Sequence, residues 1–155
     1  MSDTNRKSLS QVRSLTLPEP LPLDCGEQLD AVQIAYESWG EMNADRSNVI
    51  LICHALTGDQ FAGSENPVPG RPAWWARVLG PGKPIATTRP HIIAPHVLGG
   101  SPGTTAPAST APDGKPWGTR FPVITIGDMV RAQRAFIAAL GVEGLFSVMG
   151  GSMGG

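Results

Sequence analysis

Residues 144–149 form an apolar run that leads directly into Gly150-Gly151-Ser152-Met153-Gly154-Gly155, a Gly-x-Ser-x-Gly pattern. After a buried strand, that pattern describes a nucleophile elbow, a sharp turn that lifts a serine hydroxyl out of the sheet for acyl transfer. The turn strains the serine backbone, so its neighbours must lack bulk where the chain passes close to itself. The glycines at 150, 151, 154 and 155 meet that need. Ser152 is therefore the candidate nucleophile, and the intermediate it would form is an acyl-enzyme. Short Gly/Ser patterns also occur in plain strand-to-helix turns, and the preceding apolar run separates the two readings.

Acyl transfer also needs two preorganised N–H donors for the developing oxyanion. One follows the nucleophile and the other comes from the loop after an earlier strand. Met153 meets the first condition, and Leu56 in His54-Ala55-Leu56-Thr57-Gly58 meets the second, both through their backbone amides. A triad histidine in this arrangement follows the serine in chain order, which excludes His54, His91 and His96 from that role. His54 reads instead as a hydrogen-bonded anchor at a strand end.

Other groups carry less. Cys25 and Cys53 lack metal-ligand spacing, and Cys53 lies in an apolar strand as a small hydrophobe, so no metal site is expected. The segment Leu98-Gly99-Gly100-Ser101-Pro102-Gly103-Thr104-Thr105 lacks the Lys-Ser/Thr ending of a phosphate loop and the glycine spacing of a dinucleotide fingerprint. It reads as a structural loop beside an active-site entrance. Trp74, Trp75 and Trp117 read as packing residues, because no basic stripe accompanies them as in a base-stacking surface.

The elements that must position these groups follow from hydropathy patterning. Residues 13–17 and 31–39 read as an antiparallel opening with a turn at 24–26, and residues 48–53, 91–94 and 144–149 as three buried parallel strands. A helix is expected over 126–140, with Asp128 as N-cap and Gly141 as the stop, and a short helix over 73–79. Strand, loop and helix, strand, long loop and helix, strand is the order of a doubly wound α/β sheet. Residues 1–12 read as a mobile polar tail, and 13–155 as part of one domain.

Composition narrows the partners. With a net charge of −1 and 16% charged residues there is no electrostatic case for nucleic acid or an anionic membrane. No apolar stretch approaches the roughly 20 residues that span a bilayer, and residues 1–13 lack the apolar core of a secretory signal, so cytoplasm is the expected location.

Taken together, these blocks resemble the homoserine O-acetyltransferase family. The matching residues are Ala35-Tyr36-Glu37-Ser38-Trp39-Gly40, His54-Ala55-Leu56-Thr57-Gly58, Trp74-Trp75, Gly80-Pro81-Gly82-Lys83, Val97-Leu98-Gly99-Gly100, Gly114-Lys115-Pro116, Phe121-Pro122-Val123, Asp128-Met129-Val130-Arg131-Ala132-Gln133 and the Ser152 elbow. The resemblance implies an α/β-hydrolase fold of which residues 13–155 form the N-terminal portion, about the first two-fifths. It implies a ping-pong reaction in which Ser152 accepts an acetyl group from acetyl-CoA, a cosubstrate with no bound cofactor, and passes it to L-homoserine in methionine biosynthesis. It further implies oxyanion donors at Leu56 and Met153, a triad Asp and His downstream of this chain, and a homodimer at full length.

Three positions depart from the family's common pattern. His96 stands where Asn is common, Ser101 where Cys is common, and Ala106 where Gly is common. These bear on substrate preference more than on fold, so succinyl-CoA as donor or serine as acceptor is the sibling reading. A non-catalytic truncated remnant is the reading from another class.

Overall fold

A computed structural model describes residues 13–64, 66, 67 and 70–155; the expected tail at 1–12 lies outside the described residues. Among the described residues seven strands form: β1 (Arg13–Thr16), β2 (Leu21–Pro22), β3 (Gln28–Leu29), β4 (Gln33–Trp39), β5 (Val49–Cys53), β6 (His91–Pro95) and β7 (Ser147–Gly150). The α-helix α1 (Ile126–Ala139) precedes β7. Five strands share a sheet in the order β1-β4-β6-β5-β7, with β1, β4 and β6 antiparallel in turn and β6, β5 and β7 parallel. The three apolar runs are thus parallel neighbours, as their patterning implies.

The chain passes from β5 to β6 on one side, then returns across β5 through α1 to reach β7 on the other. That reversal of direction opens a crevice at the C-terminal ends of β5 and β7, where open α/β sheets place their ligands. Residues of β5 alternate between two cores. Val49 and Leu51 face the α1 side with Phe136 and Ile137, whereas Ile50 and Ile52 face Leu79, Ile85 and the indoles of Trp74 and Trp75. A strand buried on both faces cannot shift register without exposing both sets.

β7 differs from the expected buried strand. Its other edge has no partner among the described residues, and Val148 is 56% exposed. The expected helix over 73–79 is also absent. Ala76, Val78 and Leu79 donate to Ala73 or Trp75 in successive turns, because the two indoles must pack inward at adjacent positions. The turn at 24–26 belongs to a separate two-stranded hairpin, β2–β3, closed by Gly26 N–H to the Leu23 carbonyl at 3.0 Å. In the long loop, Thr105 Oγ1 accepts from Gln33 N–H at 2.8 Å and Thr104 Oγ1 from Ala35 N–H at 2.9 Å, extending the pairing of β4 beyond the end of β6.

α1 begins one turn earlier in its capping than the sequence suggests. Thr125 is the N-cap, and Asp128 is the third helical residue of a capping box, its carboxylate accepting from Thr125 N–H at 2.8 Å. Gly141, at φ +72°, ends the helix, with Gly141 N–H on the Ala138 carbonyl and Val142 N–H on that of Ile137. Fully buried Asp128 also accepts from Asp24 N–H at 2.9 Å, and Arg131 pairs with both Asp24 and Asp128, so one cluster locks the hairpin to the helix start.

That cluster makes folding acid-sensitive in a defined window. Hydrogen bonds from Thr125 and then Arg131 hold the Asp24 carboxyl below its ordinary 3.8. Burial pushes Asp128 up, but the amides of Thr125 and Asp24 and the Arg131 guanidinium outweigh it, leaving a net lowering. The unfolded chain therefore binds these protons first, and the stabilisation is present above the ordinary carboxylate pKa and lost as pH falls through the lowered folded values. Urea midpoints measured from pH 6 down to 3 should fall below about pH 4, and Asp128→Asn should start lower and show a flatter decline. Parallel pH profiles for the two proteins would contradict this assignment.

Candidate active site

β5 and β7 run side by side with Cys53 opposite Gly150, so their chains leave the sheet together. Beyond Gly151, in extended backbone at φ −146°, the chain enters a single 3-10 turn, Ser152–Gly154. Ser152 sits at φ +58°, in the left-handed region. For a residue with a Cβ this costs about 1–3 kcal/mol and persists only where surrounding structure imposes it.

Two glycines show what imposes it. A Cβ on Gly150 would strike the Gly154 carbonyl oxygen and come within 2.9 Å of that of Cys53. A Cβ on Gly154 would strike the Cys53 carbonyl oxygen and lie 2.9 Å from the Cys53 Cβ. Backbone meets backbone here, so no flexible side chain can yield. Gly151, by contrast, has open space, and Gly155 has its nearest neighbour at 3.2 Å. The need for small residues falls on positions 150 and 154 rather than on all four glycines.

The exit of β5 is equally constrained. Gly58 N–H closes a four-residue turn on the Ala55 carbonyl at 2.8 Å, with Leu56 and Thr57 at its corner. The Leu56 amide donates to no backbone acceptor among the described residues, and its side chain is 74% exposed. Leu56 and the pair Ser152–Met153 thus leave the same end of adjacent parallel strands, and Met153 lines a cavity of about 160 Å³ together with His54, Val97, Ile126 and Met129.

His54 is 2% exposed and anchors this strand end. Its Nδ1 lies 2.7 Å from the Ala55 carbonyl, and its Nε2 accepts the Val97 N–H at 3.2 Å. The His96 ring packs edge-on against it, with centroids 4.9 Å apart. Burial lowers the pKa of His54, and burial followed by the neighbouring His54 charge lowers that of His96 to about 4, so both rings are neutral at pH 7. His91, at the other end of β6, faces the Gly40 carbonyl at 3.0 Å, away from the elbow.

Asp59, buried just after the turn, carries no motif that singles it out for chemistry in the sequence. Its carboxylate accepts from Phe61 N–H at 2.9 Å and Asn66 Nδ2 at 2.6 Å, an Asx turn that Gly58-Asp59 could have signalled. Cys53 behaves as a packed thiol, its pKa raised by burial. No group of three or more metal-ligating side chains converges among the described residues, and no helix there is long and apolar enough to cross a membrane.

A strained serine after the last of three parallel strands, with a capped turn beside it, defines the α/β-hydrolase fold, here its N-terminal portion. Crystal structures agree: that of a homoserine O-acetyltransferase from Bacillus anthracis matches with a TM-score of 0.80 at 34% identity, over 92% of this chain and 40% of that one. An esterase matches at 0.79 and 37% identity, over 92% and 40%. In sequence, the chain is 56% identical over 147 residues to the homoserine O-acetyltransferase of Nitrobacter hamburgensis, covering 94% of this chain and 37% of that relative. No protein-family model matches. Along nearly all of its length the chain is thus similar to homoserine O-acetyltransferases, and it spans little more than a third of such a relative's length.

Gly154→Ala should lower stability by about 1–3 kcal/mol through the forced contact with Cys53, whereas Gly151→Ala should stay within about 0.5 kcal/mol. Denaturant titration of both variants checks this. Equal costs would mean that the strand ends are not in the close approach described.

Proposed function

We propose that the protein carrying this chain transfers an acetyl group from acetyl-CoA to the hydroxyl of L-homoserine through an acyl-Ser152 intermediate. The observation that supports this best is Ser152 at φ +58°, between two glycines that admit no Cβ, in a chain 56% identical to a relative named homoserine O-acetyltransferase. In this reading Ser152 Oγ attacks the thioester carbonyl, and the C–S bond breaks to release CoA. Homoserine oxygen then attacks the acyl-enzyme and regenerates the serine. The amides of Leu56 and Met153 donate to the oxyanion formed in each step. The resemblance implies a general base and its orienting carboxylate downstream of Ser152, in the part of such relatives that this chain does not span. Cytoplasmic location and a homodimer belong to the same reading.

A second reading has a specific observation behind it. The likeness to an esterase at 37% identity suits hydrolysis, in which water rather than homoserine discharges the same acyl-Ser152. Nothing comparable favours succinyl-CoA as donor, since the similar relatives carry the acetyltransferase name.

CoA release from acetyl-CoA, measured with and without homoserine in the complete protein, separates the two. Homoserine should raise the rate and appear as O-acetylhomoserine, and Ser152→Ala should abolish both. A rate indifferent to homoserine favours the esterase, and an active alanine variant removes Ser152 from the chemistry. A polypeptide of residues 1–155 alone should show no more than the roughly 10³–10⁴-fold acceleration that serine enzymes keep without their triad partners.

A further inference from the structure

We infer that His54 is a positioning residue for acyl transfer: its imidazole ties the turn that carries Leu56 to Val97 at the exit of the neighbouring strand. The inference rests on the reading of Leu56 as an oxyanion donor and adds to it the group that holds that donor in place. An amide nitrogen has no acceptor lone pair, so the Val97 N–H, 3.2 Å from Nε2, must donate to it. Nε2 therefore carries no proton, and Nδ1 donates its own to the Ala55 carbonyl at 2.7 Å. That carbonyl is also the acceptor that closes the turn from Gly58 N–H. One ring thus fixes both the first residue of the turn and its distance from the end of β6.

The surroundings leave the ring one placement. A Cβ on Gly58 would lie 2.8 Å from the His54 Cβ, so the turn closes directly over the histidine. On the other side His96 packs edge-on, backed by Gly100, where a Cβ would come 2.5 Å from His96 Nε2. The ring is buried and so close to the elbow that His54 and Met153 line one cavity. A small shift of the imidazole would move the Leu56 amide relative to Ser152. Oxyanion donors lose much of their effect when displaced, because their value lies in being preorganised.

The test uses two substitutions in the complete protein. His54→Asn keeps a donor near the Nδ1 position but cannot reach Val97, whereas His54→Gln places a carbonyl oxygen near the Nε2 position and can accept from it. With an activated acetyl ester as probe, the Asn variant should lose about 10- to 100-fold in kcat for acylation, with KM little changed, and the Gln variant should recover most of that loss. An Asn variant with unchanged kcat, or a Gln variant no better than Asn, would overturn the role of His54. Nitrogen-15 shifts of the wild-type imidazole give a readout independent of folding in the variants. A protonated Nδ1 and a bare Nε2 are expected, and the opposite tautomer would overturn the inference. Ser152→Ala distinguishes this failure from that of the proposed function. If it stays active the acyl-serine reading falls, and the His54 inference with it; if it is inactive while His54→Asn is fully active, only the His54 inference falls.

Discussion

The close approach of two chain ends governs this structure: the carbonyl of Cys53 lies where side chains on Gly150 and Gly154 would otherwise stand. Because β5 and β7 are adjacent and in register up to that point, the chain leaving β7 has no room to continue straight. It turns within three residues, and Ser152 takes up the left-handed conformation. The Ser152 conformation is thus a consequence of packing elsewhere. Everything that keeps β5 in place, from the alternating cores on its two faces to the α1 crossover above it, therefore also sets the geometry of Ser152.

Magnitudes show why the arrangement holds. A left-handed serine costs about 1–3 kcal/mol, whereas losing a buried aromatic such as Phe136, which fixes α1 over β4 through its contact with Tyr36, costs about 3–5 kcal/mol. The local strain is smaller than the contribution of one anchor in the core that maintains it. Neutral histidines serve the same end at the exits of β5 and β6. With lowered pKa values, His54 and His96 can be buried without the cost of a desolvated charge, and so can act as rigid spacers between loops.

Features written in local pattern were legible in the sequence, and features made by distant contact were not. The apolar runs that became β5, β6 and β7 and the helical spacing of Ala132, Ala135, Phe136 and Ala139 suffice for the parallel half of the sheet. The sequence does not separate Thr125 from Asp128 as the cap of α1, because both are good N-cap types and only their reciprocal bonds distinguish the roles. At 73–79 helix propensity lost to the packing of the half-buried Trp74 and Trp75 against the core. Gly-x-Ser-x-Gly marks the elbow, yet the unequal roles of its glycines depend on Cys53, nearly a hundred residues earlier. The bond from Val97 to His54 spans 43 positions and leaves no trace in either segment alone.

The central claim is that this packing presents Ser152 as the residue that carries the acyl group. Mass spectrometry of the complete protein, quenched during turnover with acetyl-CoA and digested, tests it most directly. The account predicts an acetyl increment on the peptide containing Ser152, lost when homoserine is added before the quench and absent from Ser152→Ala. An increment on another residue, or turnover with no acylated intermediate at Ser152, would contradict it.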